Sequence, residues 1–256
     1  LPARTDMNVE VILSAPEQAL YARIRRSVLD ALAGHSGGNP AQRRFQVLTA
    51  MMRLRQAACH PRLLDPTSKL GSSKLNALLE VLGELQEEGH RALVFSQFTS
   101  HLALVREALD ARAITYRYLD GSTPAAQREA EVDAFQTGTA SVFLLSLKAG
   151  GTGLNLTGAD YVIHLDPWWN PAVEDQATDR AHRIGQTRPV TVYRLISRGT
   201  IEEGILALHK DKRELVASIL DGADAAGALS TDELLTLIEQ SGEIAVLGDE
   251  AEAADG

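Results

Sequence analysis

Two arginines spaced three residues apart offer the most distinctive chemistry in this sequence. Arg180 and Arg183 lie in the stretch QATDRAHRIGQTRPV, between Gln176 and Gln186. Side chains three residues apart on a helix share a face, so both guanidinium groups could hold one anion. A solvated helix face is the competing interpretation, because Asp179 could pair with Arg183 one turn later. The local pattern does not decide between the two.

A glycine-rich stretch, SLKAGGTGLNLTGAD at residues 146–160, follows a run of apolar residues. Its clustered glycines permit positive φ angles and a close approach of backbone amides to an anion. Lys148 and Thr152 add a cation and a hydroxyl, which favours phosphate contact. The dinucleotide fingerprint G-x-G-x-x-G is not met, since Leu156 occupies the position of its third glycine. A structural turn is the alternative interpretation.

Three further stretches are less specific. DPWWNP at 166–171 places two tryptophans in a loop, where packing is as good an interpretation as function. LDGSTP at 119–124 is also typical of a plain turn that opens a helix. TDELL at 231–235 resembles an acidic Mg²⁺-binding motif, but its place at a helix start favours a cap. Cys59 is the single cysteine, so an internal disulfide is excluded, a reducing compartment is expected and no metal site is predicted.

Strands and helices alternate from residue 90 onward. The strand-length apolar runs are RALVFS (91–96), ITYRYL (114–119), ASVFLLS (140–146), DYVIHL (160–165) and VTVYRLI (190–196). Amphipathic segments of helical length lie between most of them, near 99–111, 124–136 and 172–183. This alternation predicts an α/β fold, in which a parallel sheet is covered by helices on both faces. Ligands of such sheets bind at the carboxyl ends of the strands.

The flanking regions are mainly helical. A short alternating strand through Val9, Val11 and Leu13 comes first and ends at Pro16. Helical spacing of apolar residues then marks 16–33, 41–58, 73–88, 200–221 and 230–240. We therefore expect a helical region before the sheet and further helices after it.

Charge is unevenly distributed along the 256 residues, whose net charge is −9. Residues 1–70 contain ten Lys/Arg and five Asp/Glu, whereas residues 201–256 contain three and fourteen. The basic first third leaves a nucleic-acid partner open despite the acidic total. No apolar run approaches the roughly 18 residues of a membrane span, and the first residues lack the layout of a signal peptide. We expect no membrane partner and a cytoplasmic location.

Taken in order, the motifs closely resemble the carboxyl-terminal half of the Swi/Snf-type helicase-like ATPases of superfamily two. The segments that match are MMRLRQAACHPRLL, SSKLNALLEVL, ALVFSQFTSHL, YLDGSTPAAQR, the long run from FLLSLKAGG to HRIGQ, and TIEEGILAL. The resemblance spans roughly residues 1–221 and is most specific in the arginine stretch. It implies a RecA-like lobe that clamps ATP with a first lobe and moves along duplex DNA without separating its strands. The alanine-rich, lysine-poor composition resembles a bacterial member, for which we expect association with the nucleoid.

The resemblance implies an ATP site shared between two lobes. Arg180 and Arg183 match the two family arginines that face the γ-phosphate, where cations stabilise phosphoryl transfer. Gln176, Gly153 and Asn155 match positions near the nucleotide. The sequence contains no G-x-x-x-x-G-K-[ST] and no acidic motif at a strand end. We therefore expect ATP and Mg²⁺ to be bound mainly by a first lobe that this chain lacks, and the chain alone to be inactive.

The resemblance also implies contacts to the phosphate backbone of duplex DNA. Backbone amides and short hydroxyls suit this task, because phosphate contacts position a protein without reading sequence. The residues that match are Ser96, Gln97, Phe98, Gly121, Ser122, Lys148, Ala149, Gly150, Gly151 and Thr152. Trp169 matches the family tryptophan that couples hydrolysis to movement, although Trp168 replaces the acidic residue usual before it.

Four segments follow from the resemblance. They are a remnant strand of the first lobe at 1–15, a helical connecting region at 16–70, the second RecA-like lobe at 71–200, and a bracing helix with an acidic tail at 201–256. The expected partners are double-stranded DNA, the first lobe, and RNA polymerase or another DNA-bound protein.

Two alternative functions are less favoured. A non-catalytic module that binds nucleic acid or a polymerase would have no need for the Arg180 and Arg183 pair. A strand-separating helicase would need a wedge hairpin, and none is apparent in the sequence. The leading hypothesis is therefore the second lobe of an ATP-driven translocase on duplex DNA.

Overall fold

The computed structural model describes residues 1–34, 39–150, 153–216 and 229–242. The chain divides into two compact units. One comprises residues 1–9 and 74–196, and the other comprises residues 10–73 and 197–256. All of the predicted site residues belong to the first unit.

A six-stranded sheet forms the first unit. Its strands are β1 (Arg4–Val11), β2 (Ala92–Ser96), β3 (Tyr116–Leu119), β4 (Val142–Ser146), β5 (Tyr161–His164) and β6 (Val190–Ser197). Their order across the sheet is β1-β6-β5-β2-β4-β3. The pairs from β6 to β3 all run parallel. The predicted α/β class with a RecA-like parallel sheet is confirmed.

Helices account for most of the remaining described chain. They are α1 (Ala15–Ala33), α2 (Pro40–Cys59), α3 (Ser73–Glu87), α4 (Thr99–Ala111), α5 (Ala125–Gln136), α6 (Leu147–Gly150), α7 (Pro171–Thr178), α8 (Ile201–Val216) and α9 (Thr231–Gln240). A 3₁₀ turn lies at Pro61–Leu63. No helix in these described ranges has both the length and the apolar character that crossing a membrane requires.

The sheet has helices on both of its faces. From β2 to β3 the chain moves toward the β3 edge of the sheet. From β3 to β4, and again from β5 to β6, it moves in the opposite direction, toward the β1 edge. Because parallel crossovers are right-handed, α4 covers one face while α5 and α7 cover the other. The second of these faces has a continuous buried core, in which Phe135 of α5 and Ala177 of α7 join strand residues such as Phe95, Phe143 and Val162.

The strand register places three of the predicted loops side by side. Ser96 at the end of β2 is level with Ser146 at the end of β4, and Leu119 at the end of β3 is level with Leu145. Since all three strands run in the same direction, the loops that follow them meet at the carboxyl edge of the sheet. These are the segments at 96–98 and 120–124 and the short helix α6 at Leu147–Gly150.

The second unit is built from α1, α2, α8 and α9. Ser14 and Glu17 form a capping box at the start of α1, which satisfies amides that would otherwise lack partners. The Tyr21 hydroxyl accepts a hydrogen bond from the Ile201 amide at 2.8 Å, which joins α1 to the start of α8. Leu234 and Ile238 of α9 are buried, so the acidic helix is packed and not frayed.

Two predicted elements need correction. The helix expected at 172–183 ends at Thr178, so the arginine stretch continues in turns. The strand expected to have its sheet neighbours in another lobe instead lies beside β6. The carbonyl of Ala3 accepts the Val190 amide at 2.9 Å, and this ladder satisfies backbone groups that an unpaired strand would leave exposed. The wider division at residues 15, 70 and 200 stays a prediction, and the expected end of α8 at 217–221 and the tail at 243–256 lie outside the described residues.

Backbone pairing of β1 makes a specific prediction for amide exchange. The carbonyls of Ala3 and Val11 accept the amides of Val190 and Arg198, so β1 runs parallel to β6. In a parallel ladder every second residue directs both its amide and its carbonyl to the same neighbour. We therefore expect the amides of Thr5, Met7 and Val9 to exchange slowly, and those of Asp6 and Asn8 to exchange fast. Residue-resolved exchange by nuclear magnetic resonance, on dilute protein, measures this. Uniformly fast exchange from Thr5 to Val9 would contradict the pairing.

Candidate functional site

The arginine stretch leaves α7 through a series of tight turns. Asn170 caps the helix by accepting the Ala172 amide at 3.0 Å. After Thr178 the amide of Arg180 bonds to the Ala177 carbonyl at 3.2 Å, and the amide of Gln186 bonds to the Arg183 carbonyl at 3.0 Å. The two arginines are therefore brought together by consecutive turns and not by one helix face.

Arg180 and Arg183 line the same open pocket, with a volume of about 440 Å³. The described residues that line it are Leu1, Gln176, Asp179, Arg180, His182, Arg183 and Ile184. The structure thus brings Gln176 together with both arginines. The His182 ring lies 2.8 Å from the Pro2 carbonyl, so the first residues of the chain form part of this site.

Two arginines in one pocket leave positive charge uncompensated. Burial lowers the pKa of Arg180, repulsion from Arg183 lowers it further, and Asp179 acts in the opposite direction. The Arg180 Nε is buried and has no hydrogen-bond partner among the described residues. An anion in the pocket would supply that partner and reduce the repulsion, since opposite charge favours the charged form of a guanidinium.

Gly153 and Asn155 lie on a loop that is bonded to the arginine stretch. Gly153 has φ +65°, a left-handed conformation that favours glycine. The Leu156 amide donates to the Arg180 carbonyl at 2.9 Å, and the Arg183 guanidinium donates to the Leu154 carbonyl at 3.2 Å. Gly153 and Asn155 are exposed, and the described pocket lining does not include them.

The start of the glycine-rich stretch lies at the opposite, carboxyl edge of the sheet. Lys148 is exposed on α6, directly after β4. Ala149 is buried, and its amide bonds to the Ser146 hydroxyl at 3.3 Å. Gly150 is the last residue of α6. Gly151 and Thr152 lie outside the described residues.

The loop at 96–98 is organised by an aspartate that the sequence analysis missed. The Ser96 hydroxyl donates to Asp166 Oδ1 at 2.5 Å, and the backbone and side-chain nitrogens of Gln97 donate to Oδ2 at 3.2 and 2.8 Å. Ser96 is only 2% exposed, and the Phe98 amide donates back to its hydroxyl at 3.1 Å. The Ser96 hydroxyl therefore holds the loop from inside. A carboxylate directly after β5, whose neighbour is β2, is the signal that could have revealed Asp166.

The loop at 120–124 is held by Asp120. Its Oδ1 accepts the Ser122 amide at 2.8 Å and the Ser122 hydroxyl at 2.6 Å. The hydroxyl bond from Ser122 is the largest cause that lowers the pKa of Asp120 to about 2. Gly121 and Ser122 are both exposed, so their backbone is accessible at the same edge as Lys148.

The two tryptophans are packed. Trp169 is 7% exposed, and Trp168 packs partly buried against the core of the sheet. Their ring centroids are 6.0 Å apart, with the planes at 54°. The Trp168 amide donates to Glu174 Oε2 at 3.1 Å. Packing explains the burial of Trp169, and its role in coupling stays a prediction.

A charge network joins β1, β6 and α7. Arg194 in β6 donates to Glu174 Oε1 at 3.0 Å and to Asp6 Oδ2 at 2.9 Å, and Arg4 donates to Asp175 Oδ1 at 2.7 Å. Burial raises the pKa of Glu174 to about 7, against the opposing effect of Arg194. Burial also opposes ionisation of Asp6, but hydrogen bonds from the two arginines outweigh it and lower the pKa to about 2. The missed signal was the alternation of Arg4 and Asp6 on β1 together with Arg194 inside the apolar strand β6.

The sequence was compared with protein-family models and with known proteins. Residues 73–185 match the helicase conserved C-terminal domain. The chain is 37% identical to YwqA of Bacillus subtilis (strain 168), which is described as an ATP-dependent helicase/translocase. The match covers 94% of this chain and 26% of that protein. The chain therefore spans about a quarter of the length of that relative.

Two solved structures from Sulfolobus solfataricus are similar along almost the whole chain. The first is a SWI2/SNF2 ATPase C-terminal domain, with 31% identity, a TM-score of 0.74, and coverage of 93% of this chain and 99% of that one. The second is a SWI2/SNF2 ATPase core in complex with double-stranded DNA, with 32% identity, a TM-score of 0.77, and coverage of 95% of this chain and 51% of that one.

The buried Glu174 predicts a pH dependence of stability. The pKa of Glu174 in the folded protein, about 7, lies above the ordinary value of 4.5. Folding therefore takes up a proton between these two pH values, and the contribution of this proton to the free energy of unfolding is fully present below pH 4.5. It is lost as the pH rises through about 7, with a slope on the order of 1 kcal/mol per pH unit near the middle of the window. Glu174→Gln should remove this slope from urea unfolding measured between pH 4.5 and 8. The exposed Glu80→Gln serves as control, and an unchanged slope in Glu174→Gln would contradict the assignment.

Proposed function

Because the chain belongs to the Swi/Snf family of helicase-like ATPases, as the carboxyl-terminal lobe of their core, we propose that it is the second motor lobe of an ATP-dependent translocase on double-stranded DNA. In this proposal a first RecA-like lobe binds ATP. The present lobe supplies two arginines to that ATP and one half of the track for the DNA backbone. The lobe by itself does not hydrolyse ATP.

The arginine pocket is the observation that carries the proposal. Arg180 and Arg183 face one pocket, the Arg180 Nε is buried without a partner among the described residues, and the two like charges repel. Such an arrangement costs stability unless an anion completes it. A triphosphate presented by another lobe has the charge and the several oxygens that two guanidinium groups require. A solvated helix face would give no reason for burial of the Arg180 Nε.

The chemistry assigned to the pocket is electrostatic. Transfer of the γ-phosphoryl group to water spreads negative charge over its oxygens, and fixed guanidinium groups stabilise that charge more than the ground state. Gln176 lies at the same pocket and can orient a phosphate oxygen or a water. Asp179 is the single carboxylate of the lining, beside two arginines. This is a poor Mg²⁺ site, because Mg²⁺ in nucleotide sites needs carboxylate ligands free of competing cations, and we assign the metal to the first lobe.

The DNA track is assigned to the carboxyl edge of the sheet. The segments at 96–98, 121–122 and 148–152 follow adjacent strands, and the exposed Lys148 and Gly121 present a cation and a backbone amide at that edge. Ser122 is exposed beside them, and a phosphate would compete with Asp120 for its hydroxyl. These groups suit phosphate contacts that carry no sequence information. Trp169 is assigned to coupling between the two sites. The Sulfolobus solfataricus core in complex with double-stranded DNA supports this choice of partner.

RNA polymerase or another DNA-bound protein is the further partner in this proposal, and the location is the cytoplasm, at the nucleoid of a bacterial cell. The non-catalytic binding module remains the competing function. Hydrolysis measurements on the arginine variants separate the two, because a binding module would lose nothing when either guanidinium is removed.

Arg183→Ala, in a protein that joins this lobe to its ATP-binding lobe, should lower DNA-stimulated kcat about 10³-fold, the usual scale of an arginine that stabilises phosphoryl transfer. Arg112→Ala is the control, because Arg112 is exposed at the end of α4, on the opposite face of the sheet. Steady-state hydrolysis and thermal unfolding are measured on both variants. A loss below tenfold would show that Arg183 has a structural role.

Lys148→Glu should weaken binding of a labelled duplex by this lobe severalfold at low salt, with a smaller effect near physiological salt, where the Debye length is about 8 Å. Arg112→Glu makes the same charge change, but at the opposite end of the strands, and should have less effect. Deleting residues 243–256 removes five acidic and no basic residues and should strengthen binding by reducing repulsion. This deletion leaves the packed helix α9 intact. Equal affinity of Lys148→Glu and the unmodified chain would place the track elsewhere.

A further inference from the structure

Gln186 joins the arginine stretch to the far end of the glycine-rich loop. Its Nε2 donates to the carbonyls of Thr157 at 3.1 Å, Ala159 at 2.8 Å and Ala181 at 3.0 Å. Two hydrogens serve three carbonyls, so one of these bonds is shared. The first two carbonyls belong to the loop and the third to the turns that carry the arginines.

The other half of the same amide organises a turn. Gln186 Oε1 accepts the amides of Thr187 and Arg188, both at 3.0 Å. Together with the bonds from Leu156 to the Arg180 carbonyl and from Arg183 to the Leu154 carbonyl, this makes the loop and the arginine stretch one hydrogen-bonded body. A displacement of Thr157 or Ala159 is therefore transmitted to the arginines.

Gln136, the last residue of α5, holds the same loop segment from its other side. Its Oε1 accepts the Gly158 amide at 2.8 Å, and its Nε2 donates to the Thr157 hydroxyl at 3.4 Å. A side chain at residue 158 would place its Cβ 2.5 Å from Gln136 Oε1 and 2.8 Å from Arg91 Nη1. A Cβ at residue 158 would therefore displace the side chains of Gln136 and Arg91 from these positions.

Both connections lead back to the proposed DNA edge. Helix α5 begins at Ala125, directly after the loop that contains Gly121 and Ser122, so its two ends link that loop to Gly158. The glycine-rich chain itself runs from Lys148 to the same segment. Two of the three proposed DNA loops therefore converge on 157–159, which Gln186 bonds to the arginine stretch.

We propose that Gln136 and Gln186, hereafter the glutamine pair, are positioning residues that couple DNA contact at the loop 121–122 to the placement of Arg180 and Arg183. The proposal rests on the function proposed above for this loop and these arginines. DNA phosphates that fix the loop at 121–122 fix residues 157–159 through α5 and Gln136, and Gln186 then fixes the arginine turns in the geometry that hydrolysis needs. DNA stimulates hydrolysis by this route without touching the arginines.

A glutamine amide suits this task because it donates and accepts at once, and carries no charge that would cost desolvation. Replacing Gln186 by glutamate separates its two roles. Glutamate retains an acceptor for the Thr187 and Arg188 amides, so the turn can persist. Its second oxygen would face the carbonyls of Thr157, Ala159 and Ala181, and the bonds to the loop would be lost.

The test measures coupling in a protein that joins this lobe to its ATP-binding lobe. Gln186→Glu and Gln136→Leu should each lower the stimulation of kcat by duplex DNA about tenfold, within the range that coupling variants usually show. Hydrolysis without DNA, KM for ATP and the Kd for duplex should change less than about twofold. Because both substitutions cut the same route, their combined effect should be well below the product of the single effects. Gln86→Glu, at an exposed position of α3, controls for the charge.

A second measurement uses the 256-residue chain alone. Duplex DNA should slow amide exchange at Leu156, whose amide bonds to the Arg180 carbonyl, about threefold or more, and Gln186→Glu should abolish this effect. Thermal unfolding verifies that each variant is folded. If Gln186→Glu fails to fold, the same exchange measurement is made on Gln136→Leu, which should also abolish the effect of DNA at Leu156.

The possible outcomes separate this inference from the proposed function. Full DNA stimulation in folded Gln186→Glu and Gln136→Leu overturns the coupling role, provided that Arg183→Ala abolishes hydrolysis and Lys148→Glu weakens DNA binding. If Arg183→Ala and Lys148→Glu are both without effect, the proposed function fails, and the coupling role fails with it. Equal losses of DNA-stimulated and DNA-independent hydrolysis in the variants would also overturn the inference, because they would show a purely structural role.

Discussion

Parallel pairing of the strands is the constraint on which the arrangement of both sites depends. When neighbouring strands run in the same direction, every connection must cross the sheet from its carboxyl edge to its amino edge. Each long connection therefore starts at one edge and ends at the other. The glycine-rich stretch leaves β4 at Lys148 and enters β5 near Asp160, and the arginine stretch follows α7 and enters β6 at Val190. The pairing thus separates the proposed track from the arginine pocket, while single connections still span the two.

Buried polar groups hold the loops in place at both edges. At the carboxyl edge, Asp166 takes three hydrogen bonds from Ser96 and Gln97. Near the arginines, Arg194 holds Glu174 and Asp6 together. Removing one partner of such a group leaves a buried charge unpaired and costs several kcal/mol in general. This dependence makes the loops rigid, and rigid loops can pass a displacement from one edge to the other.

Much of the fold could be predicted because it depends on local patterns. The strands β2 to β6 coincide closely with the apolar runs, and α4 occupies the predicted residues 99–111. The turns after Thr178 could not be predicted, because the stretch keeps helical composition and its bonds go to the Thr157 and Ala159 carbonyls, far along the chain. The position of β1 was missed for the same reason. Alternation identifies a strand, whereas its neighbour is set by contacts such as that between Asp6 and Arg194.

Some residues of the candidate site could likewise be identified from the sequence, and others could not. Gln176, Arg180 and Arg183 could be found from the resemblance of their stretch to the family motif, and they do line one pocket. Asp166, Glu174, Gln136 and Gln186 could not, because their function is to hold other residues and their partners are distant in sequence. Ser96 shows the limit of matching motifs, since its hydroxyl is used inside the loop by Asp166. Residue type indicates what a side chain can do, and only the fold decides which partner it has.

The separation of the two proposed sites limits how they can influence each other. A strand of five residues, such as β2 or β4, spans about 17 Å. This exceeds the Debye length of about 8 Å at physiological salt, so screening weakens the action of DNA charge at one edge on the half-buried arginines at the other. The sheet between them is close-packed, and packed interiors transmit displacement with little compression. We therefore expect communication between the two proposed sites to be mainly mechanical, along bonded segments that reach both edges. The described chain offers such a segment where Gln136 and Gln186 hold residues 157–159.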